Sequence, residues 1–308
     1  MELVRRLVVF GEGMIEERAD AALAWGGDVV NTAVYLARQG ARPELMTAMG
    51  ADAASDAIVA DWAAEGIGVD HVLRDAARTA GRYRISLGAG GQRSFSYDRD
   101  RSAARGFFEH SQATRTLQWA GGTDILYLTG ITLSLFSRDG RERIGALARR
   151  VRQRGGQVVF DTNYRAPGWP SSAAAWEAMA ALAPAITLAM PSIEDHAGLV
   201  GPATPAEVAA AWLALGADEV VVKLGADGAY AAAPTEAVAV PAAAPAQVVD
   251  TTAAGDAFNA AYIAARLVEG RSMREAAMRG AALAAEVIGW PGAIAPKPVG
   301  ERPEKAQS

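Results

Sequence analysis

Short runs of β-branched and aromatic residues, each stopped by glycine or a polar cluster, alternate along the chain with longer Ala-rich stretches whose apolar residues return every three or four positions. The first pattern suits strands buried on both faces and the second suits helices laid against them. The rhythm therefore predicts βαβ units around a mostly parallel sheet, an α/β fold with helices on its flanks. Six strands are expected, at "LVVFGEG" (7–13), "PELMTAMG" (43–50), "DILYLTG" (124–130), "QVVFDTN" (157–163), "AITLAM" (185–190) and "DEVVVKLG" (218–225). Most run out into glycine or polar residues, at the edge of such a sheet where ligands gather. Among the helices, "DVVNTAVYLARQG" offers Asp28 as N-cap, Val30, Ala33, Val34 and Ala37 as one apolar face, and Gly40 as the stop. In "TPAEVAAAWLALG", Thr204 and Glu207 have capping-box spacing and Pro205 takes the first helical position.

Two segments break the rhythm. One is "GMIEERADAALAWGG" after the first strand; the other, "AGRYRISLGAGGQRSFSYDRD", alternates polar and apolar residues on both sides of "GAGGQ" and predicts a hairpin. Antiparallel pieces at the strand ends of an α/β domain suit a small β lid. The expected organisation is one domain over residues 1–295, with lid insertions at about 14–27 and 80–100, and a flexible tail at 296–308.

Composition narrows the partners. The chain has 308 residues, 51% hydrophobic and 21% charged, which is too apolar for disorder. A net charge of -5 leaves no broad basic surface for nucleic acid or an anionic membrane. Cysteine is absent, so disulfides and thiolate metal sites are excluded. Arg5 and Arg6 precede an apolar run, but charge returns at Glu12, too early for a signal-peptide core, and no run approaches membrane-spanning length. A cytoplasmic protein acting on a small molecule is expected.

The chemistry gathers late in the chain. In "VVDTTAAGDAFNAAYIAARL", Phe258, Tyr262, Ile263 and Leu267 mark a helix beginning near Ala254, which puts Asp256 in its first turn. Unpaired N–H groups at a helix start make a site for phosphate oxygens, and a carboxylate beside them can accept the proton of an attacking hydroxyl. The plainer alternative is an acid that complements the helix dipole. Upstream, "VVKLGADGAY" places Lys223, Gly225 and Gly228 at a strand end and turn, a spacing that lets backbone approach nucleotide phosphates.

Together these two pieces resemble the ribokinase-like (PfkB) carbohydrate kinases, whose late signature has the form Asp-Thr-x-Gly-Ala-Gly-Asp. Here the run reads "DTTAAGD", with Ala253 where the pattern has glycine. The blocks "GEGMIEE", "GGDVVNTAVYLARQG", "FSYDRDRSAAR", "DTNYR" and "PSIEDHAGLVG" are similar to those of 2-keto-3-deoxygluconate kinases, over most of residues 7–295.

That resemblance implies a ribokinase-like fold, ATP and Mg2+, and phosphorylation of the terminal hydroxyl of a keto-deoxy sugar acid. Asp256 would be the base, with Ala253, Ala254 and Gly255 forming the anion site around it. Gly26, Gly27, Asn31, Tyr83, Tyr97, Arg99 and Arg165 would hold the substrate, with Arg165 on its carboxylate. Asn163, Lys223, Gly225, Gly228 and Gly255 would serve the nucleotide. Asp195 would organise magnesium through its waters, with Ser192 in place of the family's Asn, and Asp250 would serve a monovalent cation. A homodimer through the lid is also implied.

Physical chemistry agrees with the arginines, because a sugar acid needs a cationic fork that a neutral sugar does not. Arg99 could instead belong to a solvated charge cluster, Asp195 could be an ordinary helix-start acid, and Asp161 could face the phosphate region from its strand end or simply cap the turn. Three alternatives stay open: a kinase for fructose, ribose or another neutral sugar, a kinase for a related keto-deoxy acid, and a sugar-acid sensor silenced at Ala253. His71, His110 and His196 lack metal-ligand spacing, and the seven tryptophans sit mostly in helical patterns as packing.

Overall fold

The computed structural model describes residues 5–17, 23–87 and 93–297. In chain order the strands and helices are β1 (Leu7–Phe10), β2 (Met14–Glu17), β3 (Leu23–Gly26), α1 (Asp28–Arg38), β4 (Pro43–Gly50), α2 (Ala53–Ala64), β5 (Val72–Asp75), β6 (Gly81–Leu87), β7 (Arg93–Asp98), α3 (Ala113–Ala120), β8 (Ile125–Thr129), α4 (Gly130–Ser134), α5 (Arg138–Gln153), β9 (Gln157–Asp161), α6 (Ser172–Leu182), β10 (Leu188–Ala189), α7 (Ile193–Val200), α8 (Pro205–Ala214), β11 (Glu219–Lys223), β12 (Ala229–Ala233), β13 (Glu236–Val240), α9 (Ala254–Ile263) and α10 (Met273–Val287). The main sheet runs β13-β12-β11-β10-β9-β8-β1-β4-β5. Every pair from β11 to β5 is parallel, and β12 and β13 add an antiparallel edge.

All six expected strands are in this sheet, with β4 spanning the residues foreseen for it and the others shorter. Their apolar runs are continuous because both faces are covered. Leu7 and Val9 enter one core with α1, α9 and α10, while Val8 and Phe10 enter the other with α3, α5 and α6. The edge strands β12 and β13 escaped the pattern, since "AYAAA" is mostly alanine, a weak strand former, and "EAVAV" has alanine at two of its five positions. Pairing onto β11 decides their conformation.

Asp28 is not the cap of α1. Gly27 takes that position at φ 128°, a backbone open to glycine, and Asp28 is the first helical residue. Nor is α1 buried on one face alone. Val29 through Leu36 are all enclosed, because α9 packs on this helix with Ala257, Phe258 and Ala260 in the same core. The Thr204–Glu207 capping box forms as foreseen, each side chain bonding the other's backbone N–H.

A second sheet, β3-β2-β6-β7, is the lid. It consists of two antiparallel hairpins joined side by side by a parallel pairing of β2 with β6. The expected hairpin sets Tyr83 opposite Tyr97, while its "GAGGQ" turn lies outside the described residues. Of the expected tail, residues 298–308 also lie outside them. Among the described residues no helix is long and apolar enough to cross a membrane.

Candidate active site

Parallel strands all deliver their carboxyl ends to one edge, so β8, β9 and β11 bring Thr129, Asp161 and Lys223 together beneath the start of α9. Asp161 Oδ2 accepts hydrogen bonds from Lys223 Nζ (2.8 Å) and Asn259 Nδ2 (2.6 Å), and its Oδ1 accepts from the Asn163 amide (3.2 Å). Lys223 also donates to Asn259 Oδ1 (3.2 Å). Asn259 and Thr32 both donate to the Tyr127 hydroxyl. Asp161 is thus far more than a turn cap. A buried network with this many satisfied members is stiff, and it fixes the Lys223 amine near the helix start. A Cβ added at Gly255 would lie 3.7 Å from that amine.

Asp256 sits above this platform in a different setting. Its helix begins at Ala253, which holds the left-handed conformation (φ 62°, ψ 11°) and has no side chain able to cap. The Ala254 amide turns back to the Thr251 carbonyl (3.3 Å), so it is not free in the way the sequence suggested. The amides of Gly255 and Asp256 lie in the first turn, where an α-helix supplies no internal acceptor. Asp256 is 8% exposed, and its Oδ2 accepts from Asn31 Nδ2 at 2.8 Å. Burial pushes its pKa from 3.8 to about 8; the charge of Asp28 adds to the rise, and the Asn31 hydrogen bond opposes it. Asn31 Oδ1 is buried without a partner, an acceptor that a hydroxyl could satisfy.

Around this pair the other expected residues divide. Asn163, at φ 30°, donates Nδ2 to Asp28 Oδ2 (3.0 Å), and Thr129 Oγ1 donates to the same oxygen (2.6 Å). Burial raises the pKa of Asp28. Asp195 accepts from Thr162 Oγ1 (3.0 Å), while Ser192 caps α7 by accepting from the Asp195 amide. Burial, followed by the charge of Asp161, raises the Asp195 pKa. Arg165 Nη1 lies 3.6 Å from Asp195, in a side chain that is 62% exposed and also donates to the Tyr164 carbonyl.

The two nucleotide-turn glycines differ in kind. A Cβ at Gly225 (φ 57°) would make only an ordinary contact with Glu194 at 3.7 Å, whereas one at Gly228 (φ 96°) would meet the Val240 carbonyl at 2.1 Å, so strand packing by itself is enough to require that glycine. The Asp250 carboxylate accepts from the Thr252 amide and hydroxyl and from the Gly292 amide. Among the described residues no group of three or more His, Cys, Asp or Glu could cage a metal.

At the lid root, a Cβ on Gly26 would stand 2.4 Å from the Tyr83 hydroxyl, which itself donates to Glu16 Oε2 (2.5 Å). Gly26 is therefore fixed by its tyrosine. Tyr97 is 57% exposed, with its ring 6.3 Å from that of Tyr83. Arg99 is no solvated surface charge, because its largely enclosed guanidinium lies 2.5 Å from the buried Glu12. Sequence reasoning missed Glu12, Glu16, Asp28, Tyr127, Thr129 and Asn259 as site groups. Asn259 was legible, one turn after Asp256 on the same helix, and Asp28 directly follows the glycine pair.

Residues 3–299 match the family described as pfkB family carbohydrate kinase. The chain is 36% identical over 303 residues to a 2-dehydro-3-deoxygluconokinase of Escherichia coli, a match covering 95% of this chain and 98% of that protein. It is 37% identical to one from Dickeya dadantii, covering 95% and 97%. The structure also superposes on that of aminoimidazole riboside kinase from Salmonella enterica, complexed with aminoimidazole riboside and an ATP analogue. That match has a TM-score of 0.78 and 25% identity, over 94% of this chain and 95% of the other.

Proposed function

The chain belongs to the pfkB family of carbohydrate kinases, and on that premise we propose that it transfers the γ-phosphoryl group of ATP to the terminal hydroxyl of 2-keto-3-deoxygluconate, giving the 6-phosphate. The observation that carries this reading is Asp256, a buried carboxylate hydrogen-bonded to Asn31 in the first turn of an uncapped helix. Likeness along nearly the whole chain to two proteins named for that substrate supports it.

In this reading the terminal hydroxyl faces Asp256, which takes its proton as the oxygen attacks the γ-phosphorus, and another sugar hydroxyl donates to Asn31 Oδ1. The Gly255 and Asp256 amides face the transferring group, and Lys223, held by Asp161 and Asn259, adds positive charge from below. Magnesium, when bound with ATP, neutralises phosphate charge, and Asp195 is the carboxylate that would face its waters. Arg99 and Arg165 supply the two guanidinium groups for the substrate carboxylate, and the tyrosine hairpin closes above the sugar to shut out water. The positive φ of Ala253 favours a working enzyme over a silent sensor, because backbone strain at the cap accounts for the family's glycine without placing the methyl in the phosphate path.

An ATP-consumption assay over 2-keto-3-deoxygluconate, its galactonate epimer, fructose and ribose tests the proposal. Turnover is expected on the keto-deoxy acids and far less on the neutral sugars. A preference for fructose or ribose would overturn it. Arg165→Ala should weaken sugar-acid binding by roughly 2–5 kcal/mol with much less effect on ATP. Equal weakening of both ligands would mark a collapsed loop and remove Arg165 from the carboxylate site.

A further inference from the structure

Glu12 occupies a place that the reaction does not explain. Its side chain is 1% exposed, at the point where the chain leaves β1 for the lid strand β2. A carboxylate is rarely shut in so fully unless paired. Its environment contains a contact from each of the other three places where the chain passes between core and lid. Where β3 returns to α1, a Cβ on Gly27 would stand 2.5 Å from the Glu12 carbonyl oxygen. Where β6 begins, a Cβ on Gly81 would stand 2.8 Å from Glu12 Oε1. Where β7 ends, Ser102 Oγ donates to Oε1 and the Arg99 guanidinium lies 2.5 Å from Oε2. All four connections of the lid thus meet at Glu12, the ends at Gly81 and at Arg99 and Ser102 around its carboxylate and the one at Gly27 on its backbone carbonyl.

The pair with Arg99 is close but incomplete. Arg99 Nη2 lies 2.5 Å from Glu12 Oε2, and both the charge and a hydrogen bond of Arg99 act on that carboxylate, while Arg99 Nε is buried with no partner. The second cation whose charge reaches Glu12, Arg105, is tied to the Leu135 carbonyl (3.2 Å). Arg99 therefore has its charge anchored by Glu12 and its Nε donor left for another acceptor. On the other side its charge is felt by Asp28, the carboxylate beside Asn31 and Asn163 at the sugar site.

We infer that Glu12 is a positioning residue: from the root of the lid it holds the Arg99 guanidinium in the orientation that meets the carboxylate of the sugar acid, so that binding the acid completes the lid's four connections. The inference rests on the proposed reading of Arg99 as a substrate residue and names what aims it. The incoming carboxylate supplies the acceptor that Arg99 Nε lacks. Glu12 stays in place as the counter-charge and does not touch the substrate.

The test is a double-mutant cycle on the full chain, read in steady-state kinetics with 2-keto-3-deoxygluconate and in thermal melting. Glu12→Gln keeps the volume and the Ser102 bond and removes the charge. It should raise KM for the sugar acid by about tenfold to a hundredfold, the scale of misplacing a binding group, with kcat within about threefold and KM for ATP unchanged. Arg99→Met should raise the same KM, and adding Glu12→Gln to it should have little further effect. Ser102→Ala, a milder change that leaves the charge in place, should move KM in the same direction by less. Equal effects of Glu12→Gln with and without Arg99 would show that Glu12 supports the fold rather than the arginine. Coupling in melting temperature without coupling in KM would make the pair structural only. Either result overturns the inference. If Arg99→Met leaves the KM unchanged while wild type turns over the acid, Arg99 is no substrate residue and the inference falls while the proposed activity stands. A wild type inactive on every sugar acid removes the activity and the inference together.

Discussion

The two helices that carry Asn31 and Asp256 begin in a different way from most of the other helices. Six of the described helices, α2, α4, α6, α7, α8 and α10, start at Asp52, Thr129, Ser171, Ser192, Thr204 and Ser272, each of which accepts a backbone N–H in its own first turn. The two helices that carry Asn31 and Asp256 start instead at Gly27 and Ala253, with positive φ and no capping side chain. In the proposed reaction a side-chain cap would occupy amides that face the phosphoryl group and add bulk where the sugar acid approaches. The capped starts stabilise their helices, Thr129 and Ser192 doing so beside the site, whereas the starts at Gly27 and Ala253 leave the first turn without a cap side chain.

The sharpest way to break this contrast is Asp256→Asn, which keeps the shape and the polar contact but loses the proton acceptor. Turnover should fall at least about a hundredfold while ATP and sugar acid still bind, as measured by single-turnover kinetics and calorimetry. Activity surviving within a few-fold would make Asp256 a dipole acid like those of the capped helices. The same variant should be more stable than wild type. Because burial raises the folded-state pKa of Asp256 from 3.8 to about 8, its favourable contribution is complete below pH 4 and is lost as pH rises through 8. The stability gain of Asn should therefore grow between about pH 4 and pH 8 and then level off, which melting curves across that range would register. In wild type, a base that must be unprotonated should make kcat/KM climb with pH and flatten above about 8. A profile already flat from pH 6 would contradict that role.

A smaller effect is expected at Ala253. Its left-handed backbone costs an alanine roughly 1–2 kcal/mol, so Ala253→Gly should stabilise the fold modestly and raise turnover by no more than about tenfold. A silent wild type rescued by this change would restore the sensor reading. The smallest kinetic effect belongs to the capped helices. Thr204→Ala removes the capping box of α8 and should lower stability by about 1 kcal/mol in denaturant unfolding while leaving kcat and KM where they were. A kinetic change there would blur the division between the two kinds of helix start.

Much of this was legible in the sequence because it depends on local patterns. Continuous apolar runs placed the parallel strands, the Thr204–Glu207 spacing placed a cap, and the interval from Asp250 to Phe258 placed a carboxylate in a helix's first turn. Alternation about a glycine-rich segment placed the hairpin of Tyr83 and Tyr97. Period and capping are properties of neighbours in the chain, so a single sequence can carry them. Tertiary structure alone decided which charges meet. Asp161 with Lys223 is separated by 62 residues, Asn31 with Asp256 by 225, and Glu12 with Arg99 and Ser102 by most of the lid. It also decided that Gly228 is required by the Val240 carbonyl and Gly26 by the Tyr83 hydroxyl. Burial, and with it the raised pKa of Asp256, is set by every element packed around a group rather than by the residues beside it in sequence.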